Sequence, residues 1–408
     1  MKSGTYMAFS FDEVALDPEI PYFIWLASWY PTKTIPFNGD FIQRHAYAMA
    51  MLHPLILIHT IHDPDSTAAE YYHVSQRHNL VEIIIYFRDK GITNSLSEKL
   101  KYNFRYYSIT KKFISLLFSR IMLPRFVHVH VPMKKGRIAR WIKHKWNIPY
   151  IISEHSATYL PGAEDSFFSR NPYYRFQARQ IFKQALAVTN VSEAVAKILS
   201  ETFHLSNISI IRNTVDESLF TIKPGHTAPF RFIHVSTMNY QKNFKGLFET
   251  FIRLSERRND FECLFIGPVS EEVKKMVRES SGKLKIRLTG EVSYADVAGY
   301  MQQSDCLVLF SRYENFPCVI VEALCCGLTV ITTAAGGAGE AIQESNGVTI
   351  PLEDQDALLK SLDEMIDQFP KYNRQAISTE AIGRYGYRPI GEAFCSLYEK
   401  YKLIGKRN

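Results

Sequence analysis

The sequence predicts an α/β protein of two doubly wound, Rossmann-like domains facing each other across a cleft, and three observations carry that prediction. Its 408 residues allow two to four domains, at roughly 100 to 200 residues each. Short apolar runs alternate with amphipathic stretches from end to end, the pattern of parallel strands and crossover helices. There are thirteen such runs, more than one open sheet holds comfortably, so they divide into two sheets. With 46% hydrophobic and 22% charged residues, the composition is that of an ordinary globular protein and excludes disordered, collagenous and small disulfide-stapled chains.

Seven runs lie in the first half, at 22–28, 55–59, 81–86, 126–130, 150–153, 187–190 and 208–211. Six lie in the second, at 230–236, 261–266, 285–289, 306–310, 329–332 and 347–350. Between the two sets, Asn213-Thr214-Val215-Asp216 and the polar segment 223–229 interrupt the pattern. The boundary falls there, giving one domain at 1–214 and the other at 215–385. A helix at 354–368, a break at Pro370 and an amphipathic segment near 390–403 follow the last strand. With no strand after it, that segment is free to pack on either domain; as a helix over 386–408 it would complete the first. Open α/β sheets bind ligands at the carboxyl ends of their strands, so two facing domains supply two walls, one for each of two substrates.

The net charge of +7 is regional, because residues 99–153 carry thirteen Lys/Arg and no Asp or Glu while the rest of the chain nets −6. Leu96, Leu100, Phe104, Tyr107, Ile114, Leu117 and Ile121 recur there at helical spacing, and Trp141 and Trp146 stand among the later lysines. Two accounts fit: a basic, aromatic surface for anionic lipid headgroups, or a solvated basic face whose apolar stripe is core. No recognition motif accompanies the charge, so nucleic acid is not an expected partner. All six cysteines lie in the second half without zinc-ligand spacing and read as reduced core thiols of a cytoplasmic protein. Acids occupy the start of the chain where a signal peptide needs an apolar core. No run reaches the ~18 apolar residues of a membrane span; the nearest, 113–127, is broken by Arg120, Pro124 and Arg125.

The segment most informative about chemistry is 311–327, SRYENFPCVIVEALCCG, directly after a strand. Pro317 suits the first helical position and Gly327 the end. Every residue of 318–326 is apolar or small except Glu322, and a carboxylate there needs hydrogen-bond partners. Glu314 precedes the same helix start, where free N–H groups attract phosphate. Two arrangements satisfy these residues. In one, the carboxylates accept from hydroxyls in a sugar-nucleotide pocket; in the other, Glu314 rests on the helix dipole and Glu322 touches an arginine. The stretch 234–246, HVSTMNYQKNFKG, brings Lys242 and Lys245 to another helix start. Cations there oppose the macrodipole, so they are either diphosphate ligands or solvated surface lysines. The turn Ala334-Ala335-Gly336-Gly337-Ala338-Gly339-Glu340 brings backbone close to a ligand, yet lacks the P-loop Lys-Ser/Thr and the G-x-G-x-x-G of dinucleotide folds, which disfavours ATPase and dehydrogenase readings.

In the first half, Asn38-Gly39-Asp40-Phe41 places a turn at the sheet's carboxyl edge, and Ser153-Glu154-His155-Ser156 ends a strand with His155 toward the cleft. His128 and His130 alternate so that both imidazoles face one way. No third metal ligand is evident, and a hydrogen-bonded structural pair is the favoured account.

Taken together these residues resemble the retaining, GT-B-fold glycosyltransferases of family 4, the group 1 glycosyl transferases. Glu314 and Glu322 match the family's E-x7-E signature, Gly336-Gly337-Ala338-Gly339-Glu340 its G-G-x-x-E, and Ile210-Ile211-Arg212-Asn213-Thr214-Val215-Asp216 with Phe220 its interdomain N-G-V-D…F, Thr214 replacing Gly. The resemblance implies that the first domain takes the acceptor and the second the donor. Glu322 would hold the donor ribose and Glu314 the transferred sugar, with Asn315, Phe316 and Pro317 lining the sugar and phosphate site. Lys242 matches the diphosphate lysine; the arginine usual five residues earlier is here Thr237, and Lys245 is the residue left to compensate. His155 matches a cleft histidine, Gly39 a glycine turn near the phosphates, and the backbone of Thr289, Gly290, Glu291 and Val292 the base-binding loop.

Glu314, His155 and Lys242 are thus the expected catalytic groups. The implied reaction is metal-independent, retaining transfer from a nucleoside diphosphate sugar, of UDP or GDP type, to a hydroxyl of a saccharide or lipid-linked acceptor, as in cell-surface polysaccharide or glycolipid synthesis. No cofactor or metal is expected. Asp63-Pro64-Asp65 has D-x-D spacing without a cluster beside it. Many relatives work on lipid-linked acceptors at the cytoplasmic leaflet, which implies a membrane contact through 99–153. Another GT-B enzyme such as a sugar-nucleotide epimerase, or a binding relative that no longer transfers, are the alternatives; Thr237 keeps the second open.

Overall fold

The computed structural model describes residues 3–5, 22–89, 95–206, 208–223, 229–280, 282 and 284–405. Most of the N-terminal segment read as lacking a signal peptide, and most of the polar segment 223–229, lie outside the described residues. Two sheets carry the fold. The first comprises β1 (Ser3–Thr5), β2 (Phe23–Ala27), β3 (Leu55–His62), β4 (Glu70–Arg77), β5 (Leu80–Phe87), β6 (Val127–His130), β7 (Tyr150–Glu154), β8 (Ala187–Asn190) and β9 (Ile208–Ile210), in the order β1-β4-β5-β3-β2-β6-β7-β8-β9. The second comprises β10 (Phe230–Val235), β11 (Phe261–Ile266), β12 (Ile286–Leu288), β13 (Cys306–Leu309), β14 (Thr329–Thr333) and β15 (Gly347–Ile350), in the order β12-β11-β10-β13-β14-β15.

Both are doubly wound, with apolar cores on each face of each sheet. All thirteen apolar runs are strands, paired in parallel with their neighbours. β1 and β4 are the additions: β4 runs antiparallel between β5 and β1. Its sequence, EYYHVSQR, is half exposed, so it lacks the continuous apolar run that marks a strand covered on both faces.

In each sheet the strand order reverses once, between β2 and β6 and between β10 and β13. Loops diverge at such switch points and open a crevice. The loops after β2, β6, β10 and β13 contain Gly39, Val131, Lys242 and Glu314, respectively.

The final helix, Tyr387–Lys400, packs on the first sheet, where Phe394 and Tyr398 join Phe23 and Trp25 in one core. Its Gly391 meets the helix Asp40–Ala50 so closely that a Cβ would stand 2.5 Å from the Ala48 carbonyl oxygen. The chain therefore passes between the sheets twice, after β9 and again near Tyr385. The two passages are joined: the Tyr385 carbonyl accepts from Val215 N and from Thr214 Oγ1, both at 2.9 Å. The Thr214 hydroxyl supplies a bond that a glycine at this position would lack.

Among the described residues six imidazoles are buried in this framework, those of His45, His59, His128, His130, His155 and His234. Burial is the main cause holding each below the ordinary value of 6.5, to about 4 for His45 and His234 and about 3 for His59 and His128. His130 and His155 lie lower still, with repulsion from neighbouring histidines adding to burial.

Two predictions follow from this packing. Gly391→Val should lower stability by about 1–3 kcal/mol, the usual cost of overpacking; an unchanged denaturation midpoint would mean that the last helix docks loosely. For pH, the unfolded chain takes up protons on these histidines below about 6.5 while the native state resists until about 4, so stability falls as pH drops through that window. Glu154 and Glu322, raised by burial to about 7, act oppositely, since the native state binds their protons first. Six groups outweigh two, so the melting temperature should be lower at pH 5 than at pH 7.5, and a higher value would contradict this balance.

Candidate active site

The loops after β10 and β13 are tied to each other before they hold anything else. Arg312 N donates to the Gln241 carbonyl at 2.8 Å, and Gln241 Nε2 to the Tyr313 carbonyl at 3.0 Å. This lacing brings Lys242 Nζ to 2.5 Å from Glu314 Oε1, which also accepts from Ser311 Oγ at 2.8 Å. Glu314 is buried, and its partner is this lysine rather than the helix dipole.

Lys245, expected to compensate for Thr237, is placed differently from Lys242. Asn243 takes a left-handed turn (φ 48°) and the helix Phe244–Ser255 begins after it. Lys242 thus stays in the loop while Lys245 turns outward, 74% exposed and 3.9 Å from Glu249 one turn on. Thr237 is itself exposed.

The helix Cys318–Cys325 starts one residue later than its proline suggests, with Pro317 as N-cap. Gly327 (φ 73°) follows its end, where a Cβ would meet the Arg374 carbonyl oxygen at 2.7 Å. Glu322 is buried on this helix, and Oε1 accepts from Tyr294 Oη at 3.0 Å and lies 3.5 Å from Arg44. Burial pushes its pKa up to about 7 while the Arg44 charge pulls the other way. The arginine contact left open by the sequence is therefore present, and it spans the cleft, because Arg44 belongs to the first domain. Arg44 is held by Asp40 at 2.6 Å and the Thr214 carbonyl at 3.3 Å, and its guanidinium lies 4.6 Å from the Tyr294 ring centre.

Asn315 and Phe316 face the first domain as well. The Asn315 side chain accepts from Ser192 Oγ at 2.6 Å and donates to the His155 carbonyl at 3.0 Å, so its amide is already committed. Phe316 is buried under the Arg212 guanidinium, 4.8 Å from its ring centre, and its carbonyl accepts from Asn213 Nδ2 at 2.6 Å. The glycine turn lies against this same segment: a Cβ on Gly336 (φ 55°) or Gly337 would stand 2.0 Å from the Glu314 or 2.1 Å from the Asn315 carbonyl oxygen. Only glycine fits there, and the tight packing is against protein backbone. Glu340 then reaches across, accepting from the backbone N of Glu193 at 3.0 Å and Ala194 at 2.9 Å and pairing with Arg212.

On the first wall, Gly39 (φ 72°) sits where a Cβ would be 2.5 Å from the Trp29 backbone, and it begins the helix that carries Arg44. His155 follows β7 and is buried, its Nε2 3.1 Å from His130 Nδ1 and its Nδ1 without a partner among the described residues. His45 joins them, so that ligand atoms of His45, His130 and His155 lie within 4.8 Å of one another. Sequence spacing showed no third ligand beside the His128/His130 pair because these come from a helix and a loop distant in the chain. His128 bonds instead to Tyr398 Oη at 2.7 Å and Ser153 Oγ at 2.8 Å.

The expected base-binding loop adjoins the end of β11. The Gly290 carbonyl accepts from Gly267 N at 3.0 Å and Thr289 Oγ1 at 2.9 Å. Gly290 is left-handed (φ 77°), Glu291 is exposed and Val292 is half-buried. The loop leads into Tyr294, which sequence reasoning missed along with Arg44 and Ser192. Arg44 had one signal, an acid four residues earlier at Asp40.

Comparison with known proteins agrees with this fold. Residues 218–381 match the family model described as Glycosyl transferases group 1, and residues 85–219 the one described as Glycosyltransferase Family 4. A putative teichuronic acid biosynthesis glycosyltransferase, TuaC of Bacillus subtilis, is 22% identical over 83% of this chain and 87% of its own. An uncharacterized glycosyltransferase of Methanocaldococcus jannaschii is 24% identical over 59% of this chain, and the match spans 65% of that relative's length. Among solved structures, sucrose-phosphate synthase from Thermosynechococcus elongatus has a TM-score of 0.73 at 16% identity, covering 93% of this chain and 99% of that one. HepE of Anabaena, solved in complex with UDP and glucose, has a TM-score of 0.65 at 15% identity, covering 93% and 100%. The two family models meet at the passage between the sheets, and the chain belongs to the group 1, family 4 glycosyltransferases of GT-B fold.

Proposed function

We propose that the protein is a retaining glycosyltransferase that moves a sugar from a nucleoside diphosphate sugar, of UDP or GDP type, to a hydroxyl of a saccharide or lipid-linked acceptor in cell-surface polysaccharide or glycolipid synthesis. The observation that carries this reading is the Lys242–Glu314 pair at 2.5 Å beside the start of the helix that buries Glu322. The UDP and glucose in the HepE complex and the teichuronic acid assignment of TuaC lend it support.

In this reading Glu322 accepts the ribose hydroxyls, Glu314 those of the transferred sugar, and Lys242 the departing diphosphate. As the anomeric bond breaks, negative charge gathers on the diphosphate and positive charge on the ring. Lys242 and the N–H groups at the start of Cys318–Cys325 stabilise the first without any metal. Burial keeps His155 uncharged, so it acts as a hydrogen-bonding partner and not as a counter-ion. A leaving-phosphate oxygen takes the acceptor's proton, which leaves the sugar on the face it came from.

Peripheral membrane contact belongs to the same reading. On the helix Leu96–Arg120, Tyr102, Tyr106, Ile109, Phe113, Ile114 and Leu117 are core. Leu96, Leu100 and Phe104, one turn apart, are 73%, 63% and 74% exposed. Basic residues surround them, an arrangement suited to an anionic leaflet. No described helix is long and apolar enough to cross a membrane.

Thermal shift with UDP, GDP and ADP sugars identifies the donor, since a ligand at 100 times its Kd adds about 2.7 kcal/mol. Glu322→Gln should abolish transfer with the fold retained, and Lys242→Met should cut kcat by about 10²–10³-fold. Near-wild-type turnover in either variant would remove that residue's role, and turnover without any acceptor would favour an epimerase. Flotation with anionic vesicles should capture the protein at low salt and lose the Phe104→Glu variant; no capture at any salt would reject the membrane contact.

A further inference from the structure

We propose that the acceptor carries an anionic group, a phosphate or a carboxylate, which the first domain binds on Lys134 at the start of the helix Pro132–Trp146. This rests on the transferase reading and adds to it the acceptor's chemical class.

A cavity of about 400 Å³ opens at the carboxyl edges of β2, β3, β6 and β7, with Trp29, Tyr102, Tyr106, Tyr159 and Tyr174 in its walls. Val131 (φ 58°) turns the chain sharply from β6 into the helix Pro132–Trp146, and Val131, Met133 and Lys134 all line the cavity. The first turn of that helix holds no acid but two lysines, which its dipole disfavours. Lys135 is fully buried and its ammonium has a neutral partner, Thr60 Oγ1 at 2.9 Å. Lys134 lies over the rings of Tyr102 and Tyr106, 4.9 and 5.1 Å from their centres.

Among the described residues, neither ammonium forms an ion pair with a carboxylate. The cavity's own acids are engaged elsewhere. Glu154 accepts from His155 N at 2.9 Å, Ser156 N at 2.8 Å and Tyr159 Oη at 3.2 Å, and Asp165 pairs with Arg170. Burial pushes both lysines toward losing their protons, a tendency that a bound anion reverses.

His59 supplies an independent pointer. It lines the cavity and is 2% exposed; Nδ1 is 2.9 Å from the Ala27 carbonyl, and Nε2 has no partner among the described residues. A carbonyl only accepts, so Nδ1 carries the proton and Nε2 presents a lone pair. His59 and Lys134 line one cavity with aromatic walls, which suits a sugar ring that offers a hydroxyl as well as an anionic substituent.

The test is calorimetry on the full chain saturated with the nucleoside diphosphate that stabilises it, which blocks the Lys242 site. The probes are glucose, glucose 1-phosphate and glucuronic acid. At least one anionic probe should bind about tenfold more tightly than glucose, with the preference lost in Lys134→Gln and kept in Lys134→Arg. A phosphate-only preference identifies a sugar or lipid phosphate, and a carboxylate preference a uronic acid. Equal binding of all three probes, no binding of either anion at millimolar concentration, or a preference that survives Lys134→Gln would overturn the proposal. The wild-type comparison stands even if a variant fails to fold. If no nucleoside diphosphate binds, the donor reading fails, and the same titration without nucleotide still decides whether Lys134 binds the anion.

Discussion

The buried carboxylate of Glu322 sets the terms for the rest of the molecule. It stands on a helix that is otherwise apolar, where an ionised group with no partner is prohibitively costly. Its own domain offers one hydroxyl, from Tyr294, and the opposite domain offers the Arg44 guanidinium. Stranding one member of a buried pair costs about 3–5 kcal/mol, so the cleft is not an indifferent gap between two bodies. Both walls are built to keep this charge company. Arg44 in turn needs Asp40 and the Thr214 carbonyl, which draws the helix after Gly39 and the passage between the sheets into the same network.

Much of the fold was legible in the sequence because strands covered on both faces must be continuously apolar, and all thirteen such runs are strands. β4 escaped because it is only partly buried and so lacks a continuous apolar run. The need of Glu322 for partners was legible too, since a lone acid in an apolar helix advertises it. The identity of those partners was not. Arg44 and Tyr294 reach Glu322 from 278 and 28 residues away in the chain, and nothing in a local window announces such meetings. Lys245 shows the converse limit: residues three apart share a loop-to-helix segment, yet one left-handed residue between them sends their side chains to different places.

The glycine turn also changes meaning when its neighbours are known. Its permissive backbone suggested close approach to a ligand, and the close approach is to the carbonyls of Glu314 and Asn315. The turn is a rest for the loop that presents Glu314, while Glu340 at its end fastens the start of the helix Glu193–Phe203 in the other domain. The placement of Glu314 therefore depends on residues outside its own loop.

The last helix carries a consequence for how the protein is made. Phe394 and Tyr398 complete a core that includes Phe23 and Trp25, which leave the ribosome far earlier. The domain begun first thus cannot close its core until the helix Tyr387–Lys400 emerges, whereas the second domain, contiguous between the two passages, has all its described strands by residue 350. Domains generally fold as units, so here order of synthesis and order of completion are reversed: the second domain is finished first, and the first waits with one apolar face uncovered until the helix Tyr387–Lys400 emerges.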